Sequence, residues 1–466
     1  MCHSSPVDLT SEPTRTSSTP EQRRLQRKWY WYDWANSAFV TATMTVLFGP
    51  YVTSLANKAA CPTQPSDEKC LTNLSVLGFG IPPGSLVPYT LTVSTIISAI
   101  VLLFVGAIAD RSPRPTKLLG AFTVVGGLAA TAMFFLEGDN WELAVLLVVI
   151  ANLCMGASLV VYSGLMIRIT PPDDRDRVST TGWALGYLGG GIMLAASLAL
   201  LSFHEAMGLS LSMTVRIIFA AAGIWWIVFA IVPVIGLKDV PSAGNAAGRQ
   251  PVFSGSLKQL KRTFQELRTY PQTMRFLLAY LFFNDGIQTV IAAAAIYGAL
   301  ELDFSENQLF ITILLVQFIA FFGAMLFGRM ARSRGSKQLI LLSLVLWTGV
   351  VTGAYFIPKG GFMPWLVLSV GIGIVMGGSQ SLSRSLFSHL IPRGKESEFF
   401  SLYQAMERGT SWFGTFVFGL VYQLFHSYRL SIIALIIFFV VGGLLLRTVD
   451  VRRGISDVGN KVPQVI

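Results

Sequence analysis

Residues 143–167 read LAVLLVVIANLCMGASLVVYSGLMI, a run without a single charged side chain. As a helix rising 1.5 Å per residue it is long enough to cross a bilayer, because ~20 apolar residues cover ~30 Å of hydrocarbon. Comparable runs occupy 30–56, 86–109, 117–136, 178–202, 214–236, 274–299, 306–328, 338–357, 364–390, 398–424 and 428–446, so the sequence predicts twelve crossings. The composition agrees: 53% of the 466 residues are hydrophobic and 13% charged, against about 25% charged in a soluble domain. Little chain is left for a soluble catalytic domain, and function has to be sought between the helices. The longest insert between runs, 237–273, divides them into two sets of six.

The formal charge of +10 is topological. Of the 35 Lys and Arg residues, 28 fall before the first run, in even-numbered loops or after the last run; five fall in odd-numbered loops and two, Arg384 and Arg408, within runs. That asymmetry is the positive-inside pattern, and with an even number of crossings it predicts both ends in the cytoplasm. It leaves no role for nucleic acid. The expected organisation is a disordered cytoplasmic tail over 1–28, a bundle over 29–236, a cytoplasmic linker over 237–273, a second bundle over 274–447 and a cytoplasmic tail over 448–466. Cys61 and Cys70 share the first external loop, where an oxidising exterior permits a disulfide. No His or Cys spacing suggests a metal, and no GxxxxGK[ST] loop is present to bind a nucleotide, so no cofactor is expected.

The run at 143–167 has an echo. Met155-Gly156-Ala157-Ser158 is followed by Pro171, and Met376-Gly377-Gly378-Ser379 by Pro392, both pairs 221 residues apart. GAIADR from Gly106 corresponds to GRMARS from Gly328, at an offset of 222. Asp33, Asn36 and Ser37 share their spacing with Asp285, Gln288 and Thr289. Internal repeats of this kind mark many transporters, and they predict an all-α membrane protein of twelve transmembrane helices in two six-helix pseudo-repeats.

GAIADR and the following SPRP, Gly106 to Pro115, resemble the loop motif after helix two of the major facilitator superfamily. The second copy carries Arg332 where the motif's acid would stand. YDWANSAF (Tyr32–Phe39), Asn284-Asp285-Gly286 and SQSLSRSLFSHLIP (Ser379–Pro392) are similar to the vacuole-effluxer branch of that superfamily, also called the unidentified-major-facilitator branch. The resemblance covers Trp29 to Arg447. It implies the major facilitator fold, with helices one, four, seven and ten around a central cavity. It also implies a transporter, not an enzyme, with fungal members associated with amino-acid export from the vacuole. The short loops suggest a bacterial member in a plasma membrane.

An ionisable residue inside a membrane needs a reason, because it costs at least ~2.5 kcal/mol to insert. Five charged ones lie three or more residues inside a run: Asp33, Asp285, Arg384, Glu407 and Arg408. Two readings follow. Asp285, the deepest acid, is a carboxyl for coupling to a proton or another cation, and Arg384 holds an anionic group of the cargo; Asn36, Asn284, Gln288 and Gln380 are candidate hydrogen-bonding partners of a small-molecule solute. Alternatively, Asp33, Arg384, Glu407 and Arg408 form one salt-bridge network that closes the cytoplasmic side. Asp110 is expected to accept from the N-terminus of helix eleven, where free N–H groups favour an anion, with Arg111 and Arg114 pairing acids of the other half. The leading expectation is a secondary transporter of a small polar solute working by alternating access, powered by protons. The alternatives are a non-transporting sensor or assembly subunit on the same fold, and an exporter of lipids or lipophilic drugs.

Overall fold

The computed structural model describes residues 17–63, 70, 72–76, 78–240, 265–409 and 411–466. Eleven helices among them are long and apolar enough to cross a membrane: α1 (Pro20–Ala60), α2 (Pro83–Arg111), α3 (Pro115–Phe135), α4 (Trp141–Ile169), α5 (Pro172–Phe203), α6 (Leu211–Gly236), α7 (Pro271–Leu300), α8 (Glu306–Arg334), α9 (Ser336–Tyr355), α10 (Phe362–His389) and α13 (Tyr428–Arg447). The crossing expected over 398–424 is described in two segments, α11 (Glu396–Gly409) and α12 (Ser411–Phe425). A short α14 (Val451–Asp457) follows α13. A two-stranded antiparallel hairpin, β1 (Leu74–Val76) and β2 (Phe79–Ile81), precedes α2, and a disulfide joins Cys61 to Cys70. Most of the linker, 241–264, lies outside the described residues, as do 1–16 of the N-terminal tail.

α1 begins at Pro20, inside the stretch expected to be a disordered tail. Composition favours disorder there, but local chemistry outweighs it. Thr19 and Gln22 form a capping box around Pro20 at the first helical position. Ser18 donates to Asp174 Oδ2 from its N–H (2.9 Å) and its hydroxyl (2.5 Å), and Gln26 Nε2 donates to Ile169 O at 3.1 Å. Further along, α1 is π-helical over Phe39–Leu47. The segment after α13 is also structured. Val451 and Ile455 are buried, Asn460 Nδ2 donates to His389 O and Ile391 O, and Gln464 N–H reaches Asp173 Oδ1 at 2.8 Å. Ser18, at the start of the described residues, and Gln464 therefore both pack beside the loop at 171–176; this side is the terminal face below.

The two bundles repeat one plan. Gln26 donates to Ile169 O in the first half, and Thr273 Oγ1 donates to Leu390 O at 2.9 Å in the second. Ile169 and Leu390 stand 221 residues apart, but Gln26 and Thr273 stand 247 apart. The first helices of the halves thus align at 247, which sets Tyr280, not Asp285, opposite Asp33. The expected match of Asp33-Asn36-Ser37 with Asp285-Gln288-Thr289 is a coincidence of spacing displaced by more than a turn. The loop match holds: Gly106 of α2 abuts Ser397 and Ser401 of α11, and Gly328 of α8 abuts Thr180 of α5, with Ser401 and Thr180 again 221 apart.

In lipid, helices gain little from burying apolar surface against one another, so small residues at crossings allow the close backbone approach that packing needs. At the α8–α10 crossing, a Cβ on Gly323 would stand 2.6 Å from Ile374 Cα; on Gly349 of α9 it would meet nothing within 4 Å. Gly323→Val is expected to cost about 1–3 kcal/mol by overpacking and to lower the melting temperature of the detergent-solubilised protein. Gly349→Val leaves it unchanged, and equal melting temperatures for the two would contradict this packing.

Candidate functional site

A cavity of about 670 Å³ lies between the two halves. It runs from Asp33 and Arg384 toward the opposite face, reaching Thr45 of α1, Leu309 of α8 and Trp365 of α10. Its walls are mainly apolar, supplied by side chains such as Leu159, Ile291, Val316 and Met376. Its polar groups include Asn36, Gln288, Gln380, Glu407 and Arg408. Asn284 and Asp285, expected to face the cargo, are not among the lining residues. On α7 the Asp285 carboxylate is taken up by the Gly414 N–H of α12, and the cavity is lined by Gln288, Ile291 and Ala292 further along the helix.

The end of the cavity nearest the terminal face is closed by one ion pair. Arg384 Nη2 lies 3.0 Å from Asp33 Oδ2, and both side chains are buried. Tyr162 donates its hydroxyl to the same Oδ2 at 2.8 Å. Arg384 also donates to Ser179 twice, Nε to Oγ and Nη2 to O, both at 3.0 Å. Its guanidinium lies 5.1 Å from the ring centroid of Trp29, 5.4 Å from that of Trp183 and 5.6 Å from that of Tyr162, a cation–π cage. Two glycines make the contact sterically feasible. Gly182 of α5 sits so close that a Cβ there would be 2.6 Å from Asp33 Oδ2 and 3.2 Å from Arg384 Nη2, and Gly186 lies against Asp33 one turn further.

The expected four-residue network is divided in two. Asp33 and Arg384 join α1 to α10, whereas Glu407 and Arg408 hold separate partners deeper in the cavity wall. Glu407 Oε2 accepts from Tyr280 OH at 3.0 Å and from Gln404 Nε2 at 2.9 Å, while Arg408 Nη1 donates to Asn152 Oδ1 at 2.7 Å. Asn152 is itself held by Ser94 Oγ at 2.9 Å. The division follows from the repeat: Tyr280 stands where Asp33 stands in the other half, and its hydroxyl engages Glu407.

Asp110 sits where expected. Buried at the end of α2, it accepts N–H bonds from Ser397 (3.0 Å) and Glu398 (2.8 Å), the free amides that open α11. A carboxylate there complements the positive end of the helix dipole. Its cation is Arg168 of α4, 3.2 Å from Asp110 and 3.7 Å from Glu396. Arg114, expected to pair an acid of the other half, is exposed in the loop, and Arg111 is half-buried beside it. Further bonds cross between the halves, among them Ser179 Oγ to Ser381 O (2.7 Å), Arg175 Nη1 to Ser388 O (2.8 Å), Tyr187 OH to Gln380 Oε1 (2.7 Å) and Gln317 Nε2 to Thr41 Oγ1 (3.2 Å). Sequence reasoning missed Arg168, Arg175 and Ser179 as cross-half partners because each looks like an ordinary residue at a helix end. The one available signal was the small residues Ser179, Gly182 and Gly186, spaced three and four apart on one face of α5, which let it lie close to α1 and α10.

The family model described as "Vacuole effluxer Atg22 like" matches residues 21–166 and 168–459. The chain is 29% identical over 445 residues to an uncharacterized MFS-type transporter, YxiO, of Bacillus subtilis (strain 168), covering 94% of this chain and 98% of the relative. It is 27% identical to the autophagy-related protein 22 of Eremothecium gossypii, covering 91% and 90%. Among solved structures it is similar to a bacterial homologue of the iron transporter ferroportin in its outward-facing state (TM-score 0.63, 12% identity, 92% and 99% covered). It is also similar to the human organic anion transporter MFSD10 (TM-score 0.60, 12% identity, 92% and 100% covered). At that identity the likeness establishes the major facilitator fold.

Removing one partner of a buried ion pair strands the other charge and typically costs 3–5 kcal/mol, whereas removing both costs less. Asp33→Asn and Arg384→Gln are each expected to destabilise the protein by roughly that amount, and the double variant to recover most of the loss. Thermal melting of the three variants checks this; a double variant less stable than either single would contradict it.

Proposed function

The chain belongs to the Atg22-like vacuole-effluxer family of major facilitator transporters, and from that premise we propose that it moves a small zwitterionic solute of the amino-acid type, with an apolar side chain, by alternating access. The observation that carries this reading is the central cavity, shut at one end by an ion pair between the halves and carrying two opposite charges side by side on its wall. Glu407 suits an ammonium group and Arg408 a carboxylate. Each is held by a residue of another helix, Tyr280 and Asn152, so both are preoriented before cargo arrives. The apolar walls, with Ile291 and Val316 on facing helices, suit an aliphatic or aromatic side chain. Asn36, Gln288 and Gln380 supply the remaining hydrogen bonds.

In this reading the Asp33–Arg384 pair is a gate, and the Asp110 contact with α11 is its latch at the membrane surface. Cargo enters from the face opposite the chain ends. The halves then rock, the pair separates and the terminal face opens. The placement of 28 of the 35 Lys and Arg residues supports a plasma-membrane orientation with both ends in the cytoplasm. A proton gradient is the proposed source of energy.

Purified protein in liposomes is expected to exchange tritiated leucine with an internal pool of unlabelled leucine. Arg408→Ala is expected to weaken leucine binding at least about tenfold, the loss of one charge-assisted pair worth ~1.5–3 kcal/mol. Unchanged exchange by Arg408→Ala would remove that residue from the cargo site, and the absence of exchange by the unmodified protein would remove leucine-like zwitterions as cargo.

A further inference from the structure

Asp285 has no ion-pair partner among the described residues. It is 1% exposed and is not among the residues that line the cavity, although Gln288 and Ala292, one and two turns along, are. Its Oδ2 accepts the Gly414 N–H of α12 at 2.8 Å. Its Oδ1 is buried and has no hydrogen-bond partner among the described residues, and neither does Thr289 Oγ1 one turn along. Both residues press on the same spot of α12, since Thr289 Oγ1 and the Asp285 carbonyl crowd the position a side chain on Gly414 would take. The Asn284 Oδ1 beside them is also buried without a partner. Three unpartnered oxygens in one buried stretch of α7 call for an explanation.

The surroundings supply no cation. From α13, Phe438 and Phe439 pack against the adjacent Gly286. From α12 comes the Gly414 amide. Of the charged residues of α11, Glu396 and Glu398 open the helix beside Arg168 and Asp110, Glu407 is bonded to Tyr280 and Gln404, and Arg408 is bonded to Asn152. On α10, Arg384 is spent on Asp33. Among the described residues no Lys or Arg lies within ion-pair distance of Asp285. An ionised carboxylate so placed bears a desolvation cost that nothing nearby offsets. A proton on Oδ1 removes the charge, and with it that cost, and turns the oxygen into a donor.

We propose that Asp285 is a proton-carrying site separate from the cargo cavity, and that the eleventh span reports its occupancy to the cargo. That span is tied to Asp285 through Gly414 and presents Glu407 and Arg408 to the cavity from its other segment. Loss of the proton leaves a bare carboxylate that pulls harder on the Gly414 amide and repels the apolar packing of α13. Both effects bear on the span that orients the cargo ligands. The proposal rests on the alternating-access reading above and assigns its coupling ion and its site.

Two measurements test it, one of them independent of cargo. The infrared difference spectrum of the purified protein is expected to show a protonated-carboxyl stretch that Asp285→Asn removes and Thr289→Val shifts. An unmodified band in Asp285→Asn overturns the proton site whether or not leucine is transported. In liposomes, Asp285→Asn is expected to lose leucine accumulation driven by an imposed pH gradient at least about tenfold, while exchange at equal pH persists. Retained gradient-driven accumulation overturns the coupling role. Loss of both modes in protein that remains monodisperse makes Asp285 a structural or cargo residue and also overturns it. If Asp285→Asn does not fold, Thr289→Val decides on the same split. Protein that shows the infrared change but moves no leucine fails the cargo reading and leaves the proton site standing.

Discussion

The architecture turns on a single buried ion pair between Asp33 of α1 and Arg384 of α10. Taking two charges out of water is expensive, and their attraction offsets the cost only when the remaining donors and acceptors are satisfied as well. Here they are: Tyr162 donates to the carboxylate, Ser179 receives two guanidinium N–H groups, and three aromatic rings enclose the cation. All of these partners except Arg384 itself come from the N-terminal half. The half that holds Asp33 has a socket built for one residue of the other half, and filling it shuts one end of the cavity.

Duplication explains why this contact occurs once. Residues 221 apart occupy equivalent places in the later helices of each half, and residues 247 apart do so in the first. A second copy of the pair would need an acid at 280 and an arginine at 163. Tyr280 and Ser163 stand there instead, and Tyr280 turns to Glu407. The surface latch is one-sided in the same way. Asp110 caps α11, but the equivalent place in the second half holds Arg332, so the α8–α5 crossing has the glycine contact of Gly328 with Thr180 without a carboxylate cap of that kind. Different chemistry at equivalent positions gives a symmetric scaffold unequal roles, with the socket for Arg384 in one half and Glu407 and Arg408 on the cavity wall from the other.

Much of this was legible in the sequence. Hydropathy and the Gly106 and Gly328 motifs gave the helices and the two-fold plan, because both are properties of local composition and spacing. Asp110 could be placed at α11 through the resemblance of its loop motif to that of the major facilitator superfamily. Three features were not legible. The spacing shared by Asp33 and Asp285 looked like a repeat, but only the depth of each helix in the bundle shows that the two acids sit at different levels. Which face of α7 meets the cavity depends on how the helix rotates in the bundle, so Asp285 could not be separated from Gln288. The helical start at Pro20 was hidden by polar composition, because its order comes from Asp174 and Ile169, over a hundred residues away.

The account stands or falls on whether the terminal face opens when the Asp33–Arg384 pair is lost. Nitroxides placed at the exposed positions Lys117 and Arg334, one in each half, report the separation of the halves on that face by pulsed electron–electron resonance. With the pair intact, a single short distance is predicted; with Asp33→Asn, a second, longer population should appear and grow. Identical distance distributions in the two proteins would contradict the assignment of the pair as the gate.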